Sequence, residues 1–301
     1  METKKYHGVV IPMVTPFTRS GELDIKSAKK LVNHVIEADT FPFILGTTGE
    51  CMSMPMEMRL EFVQHVAGEA GGRTTLYAGI SDNSLSNSIL AAKNFSDWGV
   101  QVFVCHVPSY YPMSETHILN YFEKIADNSP CPVMIYNIPS TTHVSIPMHI
   151  IKQLSAHPNI CGLKDSERSL DRMQQIADMF SDKSDFSIMS GWTSQSANAL
   201  LSGFDGIVPS TGNFVPKMFS ELYSAVIRKD KAAALELQRK IDPIADAHQK
   251  DKKLYEFVPL LKVMLNEIGL AGTSVLPPLT ELSENDVSQF RDNIKRLGTE
   301  G

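Results

Sequence analysis

Short runs of apolar, largely β-branched residues alternate with longer stretches of helical periodicity along most of the 301-residue chain. The runs predict strands near residues 8–14, 42–46, 74–79, 101–107, 132–136, 160–164, 186–190 and 206–209. Between them, apolar positions at helical spacing predict helices, among them Ile25 to Ala38, Met56 to Ala70, Ser86 to Trp98, Glu115 to Ala126 and Leu170 to Met179. Such alternation marks repeated βα units on a parallel sheet. Eight strands suit a closed (β/α)₈ TIM barrel better than an open doubly wound sheet, because barrel closure needs that number. In the last strand Pro209 would forfeit a ladder hydrogen bond unless it falls at the strand's end.

After Pro216 only helical patterns remain: Met218 to Arg228, Lys231 to Asp242, Lys252 to Ile268 and Glu284 to Leu297. The first would complete the eighth unit. The expected fold is therefore an α/β chain with a barrel over residues 1–228 and a helical extension over 229–301 packed with it. No low-complexity linker separates the two parts, which predicts one compact body.

Composition narrows the partners. Hydrophobic residues make up 43% and charged residues 21%, ordinary for a folded domain, and the formal net charge of −6 comes with no basic run suited to nucleic acid or an anionic membrane. The longest apolar stretches, Gly8 to Thr15 and Val102 to Val107, fall far short of a bilayer span, and Met1-Glu2-Thr3-Lys4-Lys5 leads into no secretory core, so a cytoplasmic location is expected. Cys51, Cys105, Cys131 and Cys161 are widely separated and form no C-x-x-C pair; they read as small buried hydrophobes, not as a disulfide framework or zinc knuckle.

In such a barrel the chemistry lies at the C-terminal ends of the strands, so polar residues just after each apolar run carry the interest. The sixth run ends Leu163-Lys164-Asp165 and the fifth ends Ile135-Tyr136-Asn137-Ile138-Pro139. A primary amine can convert a carbonyl into an imine, which stabilises a carbanion on the adjacent carbon, provided burial lowers its pKa from about 10.4. A lysine merely capping the strand is the alternative. Neighbouring strands lie about 4.8 Å apart, within reach of a Tyr136 hydroxyl that would give and take protons, unless the ring is only core. Gly46-Thr47-Thr48-Gly49-Glu50 follows the second strand and would offer backbone N–H groups and hydroxyls to a carboxylate, or form a plain tight turn. Tyr110 and Tyr111, in the proline-bounded loop after the fourth strand, would wall a pocket or pack at a subunit interface. A metal-dependent hydrolase would want clustered histidines and carboxylates at strand ends, where only His106 stands, so no metal is expected.

Over nearly its whole length the sequence resembles the dihydrodipicolinate synthase and N-acetylneuraminate lyase group of pyruvate-dependent class I aldolases. The resemblance rests on Gly46-Thr47-Thr48-Gly49-Glu50, the tyrosines after Pro108, Tyr136-Asn137-Ile138-Pro139 and Gly162-Leu163-Lys164-Asp165, with the Tyr136 to Lys164 spacing suiting the group. It implies that Lys164 forms an imine with pyruvate and Tyr136 moves protons. It further implies that Thr47 links Tyr136 to a Tyr110 contributed by a neighbouring subunit. Thr48, with Gly49 of the same turn and backbone groups near Val208, would hold the pyruvate carboxylate. A homotetramer of two tight dimers, or a homodimer, follows from the same resemblance. So does chemistry without metal or cofactor, the imine being the electron sink.

The sequence also departs from the group's named enzymes. Thr141 stands where dihydrodipicolinate synthases usually carry an arginine, and His143 replaces a common glycine. Gly191 is followed by Trp192-Thr193-Ser194 instead of the acidic turn of sialic acid lyases. The expected activity is thus carbon–carbon bond formation or cleavage between pyruvate and an aldehyde, on a 2-oxo-3-deoxy sugar acid or a similar chain. Thr141, Thr142, His143, Trp192, Thr193 and Ser194 are its candidate specificity residues. Dihydrodipicolinate synthase and N-acetylneuraminate lyase activities are the enzymatic alternatives, and a 2-oxo acid sensor on the same fold the non-enzymatic one.

Overall fold

The computed structural model describes residues 4–298, so Met1 to Thr3 of the N-terminal reading and residues 299–301 of the expected extension lie outside the described residues. Eight parallel strands close in sequence order into a barrel: β1 (Gly8–Pro12), β2 (Phe41–Ile44), β3 (Tyr77–Gly79), β4 (Val102–Cys105), β5 (Val133–Asn137), β6 (Ile160–Asp165), β7 (Ser187–Ser190) and β8 (Gly206–Ile207). β1 pairs with β8 to complete the ring.

The period-2 geometry of each strand divides its side chains between two cores. Val10, Phe43, Tyr77, Val104, Met134 and Met189 fill the barrel interior. Val9, Ile44, Ala78, Phe103, Ile135 and Leu163 face the surrounding helices. Burying a side chain of this size contributes about 1.5–3 kcal/mol, so both layers hold the scaffold that fixes the strand ends.

Several boundaries differ from expectation. β8 stops at Ile207, although the Val208 N–H still donates to the Ser190 carbonyl at 2.7 Å; Pro209, with no N–H to give, lies outside the ladder. β1 ends at Pro12, where buried Asn213 takes over: its amide donates to the Pro12 carbonyl and accepts from the Val14 N–H, tying the first strand to the turn after the last. The helices Met148–Leu154 and Ser196–Leu201 were not among the predicted ones; at seven and six residues they are too short to show a clear period. The helix expected to stop at Asp242, before Pro243, runs from Lys231 to Gln249 with the proline inside it. That continuation carries His248 and Gln249 up to the strand ends. The helix Leu254–Glu267 follows, and Glu284–Gly298 is the last.

Candidate active site

Register decides which side chains meet. β5 and β6 pair Tyr136 with Lys164 and Asn137 with Asp165, so the phenol and the amine sit side by side, both pointing into the barrel mouth. Lys164 is 4% exposed, and its Nζ lies 3.6 Å from the centroid of the Tyr136 ring and 5.0 Å from that of Phe43. Among the described residues no carboxylate comes within ion-pairing distance of it. Desolvation is therefore the main influence on this amine and lowers its pKa from 10.5, with Tyr136 pulling the other way. Behind Tyr136, buried His106 sets its ring edge-on at 6.0 Å and bonds the Val107 carbonyl through Nδ1; burial lowers its pKa too.

The carboxylate next to the lysine is taken out of play. Ser169 accepts from the Arg172 N–H and caps the helix Leu170–Phe180, which turns the Arg172 guanidinium back toward β6. Its Nε donates to Asp165 Oδ2 at 2.9 Å, and the Asn137 amide donates to the same oxygen at 2.9 Å. Burial pushes the Asp165 carboxyl up while Arg172 opposes that shift. Asp165 thus faces away from Lys164 into a lattice of its own.

After β2 the chain turns through Leu45 at φ 54, a close approach that needs Gly79 opposite, since a Cβ there would collide with the Leu45 carbonyl. The turn brings Thr47 Oγ1 to 3.4 Å from the Tyr136 hydroxyl and buries Thr48. Gly49 gives its N–H to the Gly46 carbonyl at 3.0 Å and accepts from Thr15 at 2.7 Å, so its polar groups are spent on the turn itself. Glu50 then points inward, where one carboxylate oxygen accepts from the Leu276 N–H at 2.8 Å and the other pairs with Lys262, both side chains fully buried. Lys262 also donates to the Ser274 carbonyl at 2.6 Å. Burial pushes the Glu50 carboxyl up and the Lys262 amine down, and each charge holds the other back. This clasp anchors the Thr47–Thr48 turn to the helix Leu254–Glu267.

A cavity of about 610 Å³ opens above Lys164, and Tyr136, Thr47, Thr48, Thr141, Thr193 and Val208 line it. Six other expected positions do not. Gly49 is absorbed in its turn, and His143 caps the short helix Pro139–Thr142 at φ 57 with its side chain exposed. Trp192 and Ser194 flank Thr193 in a tight turn, half-buried and outside the lining. Tyr110, 76% exposed, stands off the cavity beside Tyr111, its ring edge-on at 5.0 Å. Thr142 is buried, but its hydroxyl donates to the Ile138 carbonyl at 3.0 Å and it too stays outside the lining.

Sequence reasoning overlooked Gln249, which lines the cavity and donates to Ser210 and Thr211 at 2.8 and 3.0 Å, and the cations Arg168, Lys252 and Lys253 at its rim. The only signal for Arg168 was its place four residues after Lys164; Gln249 lay past the Asp242 end of its expected helix, and Lys252 and Lys253 opened the next expected helix with nothing in the sequence to aim them at the strand ends. Among the described residues no three His, Cys, Asp or Glu side chains converge as a metal ion would require, and no helix is long and apolar enough to cross a membrane.

A closed eight-stranded barrel with a buried amine and a phenol at adjoining strand ends is an arrangement suited to imine chemistry. Comparison places it more narrowly. The model of the dihydrodipicolinate synthetase family matches residues 5–297, and the chain belongs to that family. The 4-hydroxy-tetrahydrodipicolinate synthase of Pseudoalteromonas atlantica is 30% identical over 294 residues, covering 96% of this chain and 98% of that protein. Among solved structures, the dihydrodipicolinate synthase of Bacteroides thetaiotaomicron superposes with a TM-score of 0.92 at 25% identity, covering 97% of this chain and 99% of that one. YagE, a prophage protein of the dihydrodipicolinic acid synthase family from E. coli K12 solved in complex with pyruvate, also reaches 0.92, at 27% identity over 98% of this chain and 99% of that one. Members of the family are pyruvate-dependent carbon–carbon lyases that form a Schiff base between a lysine and pyruvate and need no external cofactor.

Proposed function

We propose that this chain is an aldolase in which Lys164 forms the imine with pyruvate, acting on a 2-oxo-3-deoxy sugar acid or a similar chain. One observation carries the reading: the Lys164 amine is buried at a strand end against the Tyr136 ring with no carboxylate to hold its proton. The neutral amine attacks the 2-oxo carbon, and Tyr136 moves the proton as water leaves the carbinolamine. Loss of a proton from the methyl carbon gives the enamine, which adds to an aldehyde; the reverse sequence cleaves a longer 2-oxo acid. Thr48 holds the pyruvate carboxylate beside Val208, and Thr47 joins Tyr136 to the Tyr110 of a second copy in a homotetramer or homodimer. The 76% exposure of Tyr110 leaves it free for such a contact.

The division into a barrel, 1–228, and an extension, 229–301, belongs to the same reading, with the extension supplying Gln249 to the cavity and Lys262 to the turn beneath it. Four free cysteines, three of them buried, suit a cytoplasmic location.

Synthesis of dihydrodipicolinate is the second reading, favoured by the names of the relatives at about 30% identity. Thr141 argues against it, because a hydroxyl cannot replace the fork of an arginine on a carboxylate. Retro-aldol assays on a panel of 2-oxo-3-deoxy sugar acids and N-acetylneuraminate, run beside pyruvate with aspartate semialdehyde, decide between them. Cleavage of a sugar acid is expected; turnover of the semialdehyde alone reverses the order.

A further inference from the structure

We propose that the far end of the substrate, remote from its 2-oxo acid, carries a second anion, a carboxylate or a phosphate ester, and that Arg168 binds it with Lys252 and Lys253. The inference rests on the imine reading of Lys164 and adds the charge class of the aldehyde half.

The charges along the cavity are unevenly sorted. Its inner end is built from Lys164, Tyr136 and the Thr47–Thr48 turn, which together account for a keto group and one carboxylate. At the rim, Arg168 comes from the loop after β6, and Lys252 and Lys253 come from the segment leading into the helix Leu254–Glu267. These two stretches are distant in sequence and reach the same opening. Against the three cations the lining holds a single carboxylate, Glu167, and that one is occupied: it accepts from Ser145 at 2.6 Å and from Asn137 at 3.1 Å, and lies 3.4 Å from Arg172. Arg168 has no hydrogen-bond or ion-pair partner among the described residues. Among the described residues the Lys252 ammonium has one ion-pair contact, with Glu256 at 4.0 Å, an exposed one that holds it loosely.

The chain as a whole carries a net charge of −6, so a positive rim on its catalytic opening runs against the general sign of the molecule. Such a local reversal draws anions toward the opening and repels cations. An arginine adds direction, because its planar fork matches the oxygens of a carboxylate or a phosphate. A polyol tail ending in a hydroxyl would use none of this charge. The carboxylate of the 2-oxo acid cannot use it either, being drawn to the inner end when its keto carbon reaches Lys164.

The test compares kcat/KM for retro-aldol cleavage of three 2-oxo-3-deoxy acids of equal chain length, ending in a hydroxyl, a carboxylate or a phosphate. Wild-type enzyme is expected to favour a charged end by about 10- to 100-fold, the scale of a hydrogen bond to a charged group. The preference should shrink as salt is raised. Arg168→Gln should remove most of it, and Lys252→Gln with Lys253→Gln a smaller part. The ratio of carboxylate to phosphate rates shows which anion the rim takes. Equal or better cleavage of the hydroxyl-ended acid overturns the proposal, as does a preference that survives Arg168→Gln or cleavage of none of the three. Borohydride trapping of pyruvate on Lys164 is run in parallel, since failure there strikes the imine reading instead.

Discussion

Lys164 and Lys262 are both stripped of water, and burial lowers the pKa of each, yet their surroundings are opposite. Lys262 is given a carboxylate, Glu50, a carbonyl, Ser274, and the face of Phe17 at 4.4 Å. Lys164 is given two aromatic rings, while the carboxylate next to it in sequence is drawn off by Arg172. Burial alone therefore makes neither a nucleophile nor a strut. The presence or removal of a counter-charge makes the difference: Glu50 opposes the loss of the Lys262 proton and fastens a loop through it, whereas no carboxylate does so for Lys164.

Replacing either lysine by methionine separates the two roles. Lys164→Met should abolish turnover, a loss on the order of 10⁴- to 10⁶-fold, the scale seen when a covalent nucleophile is removed. Its urea denaturation midpoint should not fall, because no ion pair is broken. Tyr136→Phe should lower kcat by about 10²- to 10⁴-fold, as expected for loss of a proton-transfer group, while pyruvate still binds in a direct titration. Lys262→Met leaves Glu50 buried without its partner and should cost about 3–5 kcal/mol in urea unfolding. Adding Glu50→Gln should recover most of that loss. If Lys262→Met proved as stable as wild type, the contrast between the two sites would fail.

The smallest effect concerns pH. The unfolded chain holds the Lys164 proton up to its ordinary value of 10.5, whereas the folded chain releases it lower. Between those two values the unfolded state binds more protons, so this residue makes native stability rise with pH. Lys164→Met should remove its share of that slope, measured by urea unfolding across the alkaline range. The rate of imine formation should likewise climb with pH through a midpoint below 10.5.

The amino-acid pattern reveals the first of these lysines far better than the second. Lys164 and Tyr136 stand out because each is a polar residue ending an apolar run, and barrel geometry places all such ends on one face. Lys262 lies within Leu260-Leu261-Lys262-Val263-Met264, where a long stem reads as one more covering side chain, and its partner sits in a turn on the far side of the chain. No periodicity links the two. Gln249 was hidden for another reason: Pro243 removes a donor and normally ends a helix, but here the helix passes through it. His143 and Trp192 illustrate the converse, since nearness in sequence to a strand end put them on the candidate list although local turns point them elsewhere.

Reduction with borohydride in the presence of pyruvate, followed by peptide mass analysis, addresses the difference between the two amines most directly. A single pyruvate-derived adduct on Lys164, with Lys262 and the surface lysines unmodified, is the predicted result. An adduct at another lysine, or none while pyruvate is demonstrably bound, would contradict it.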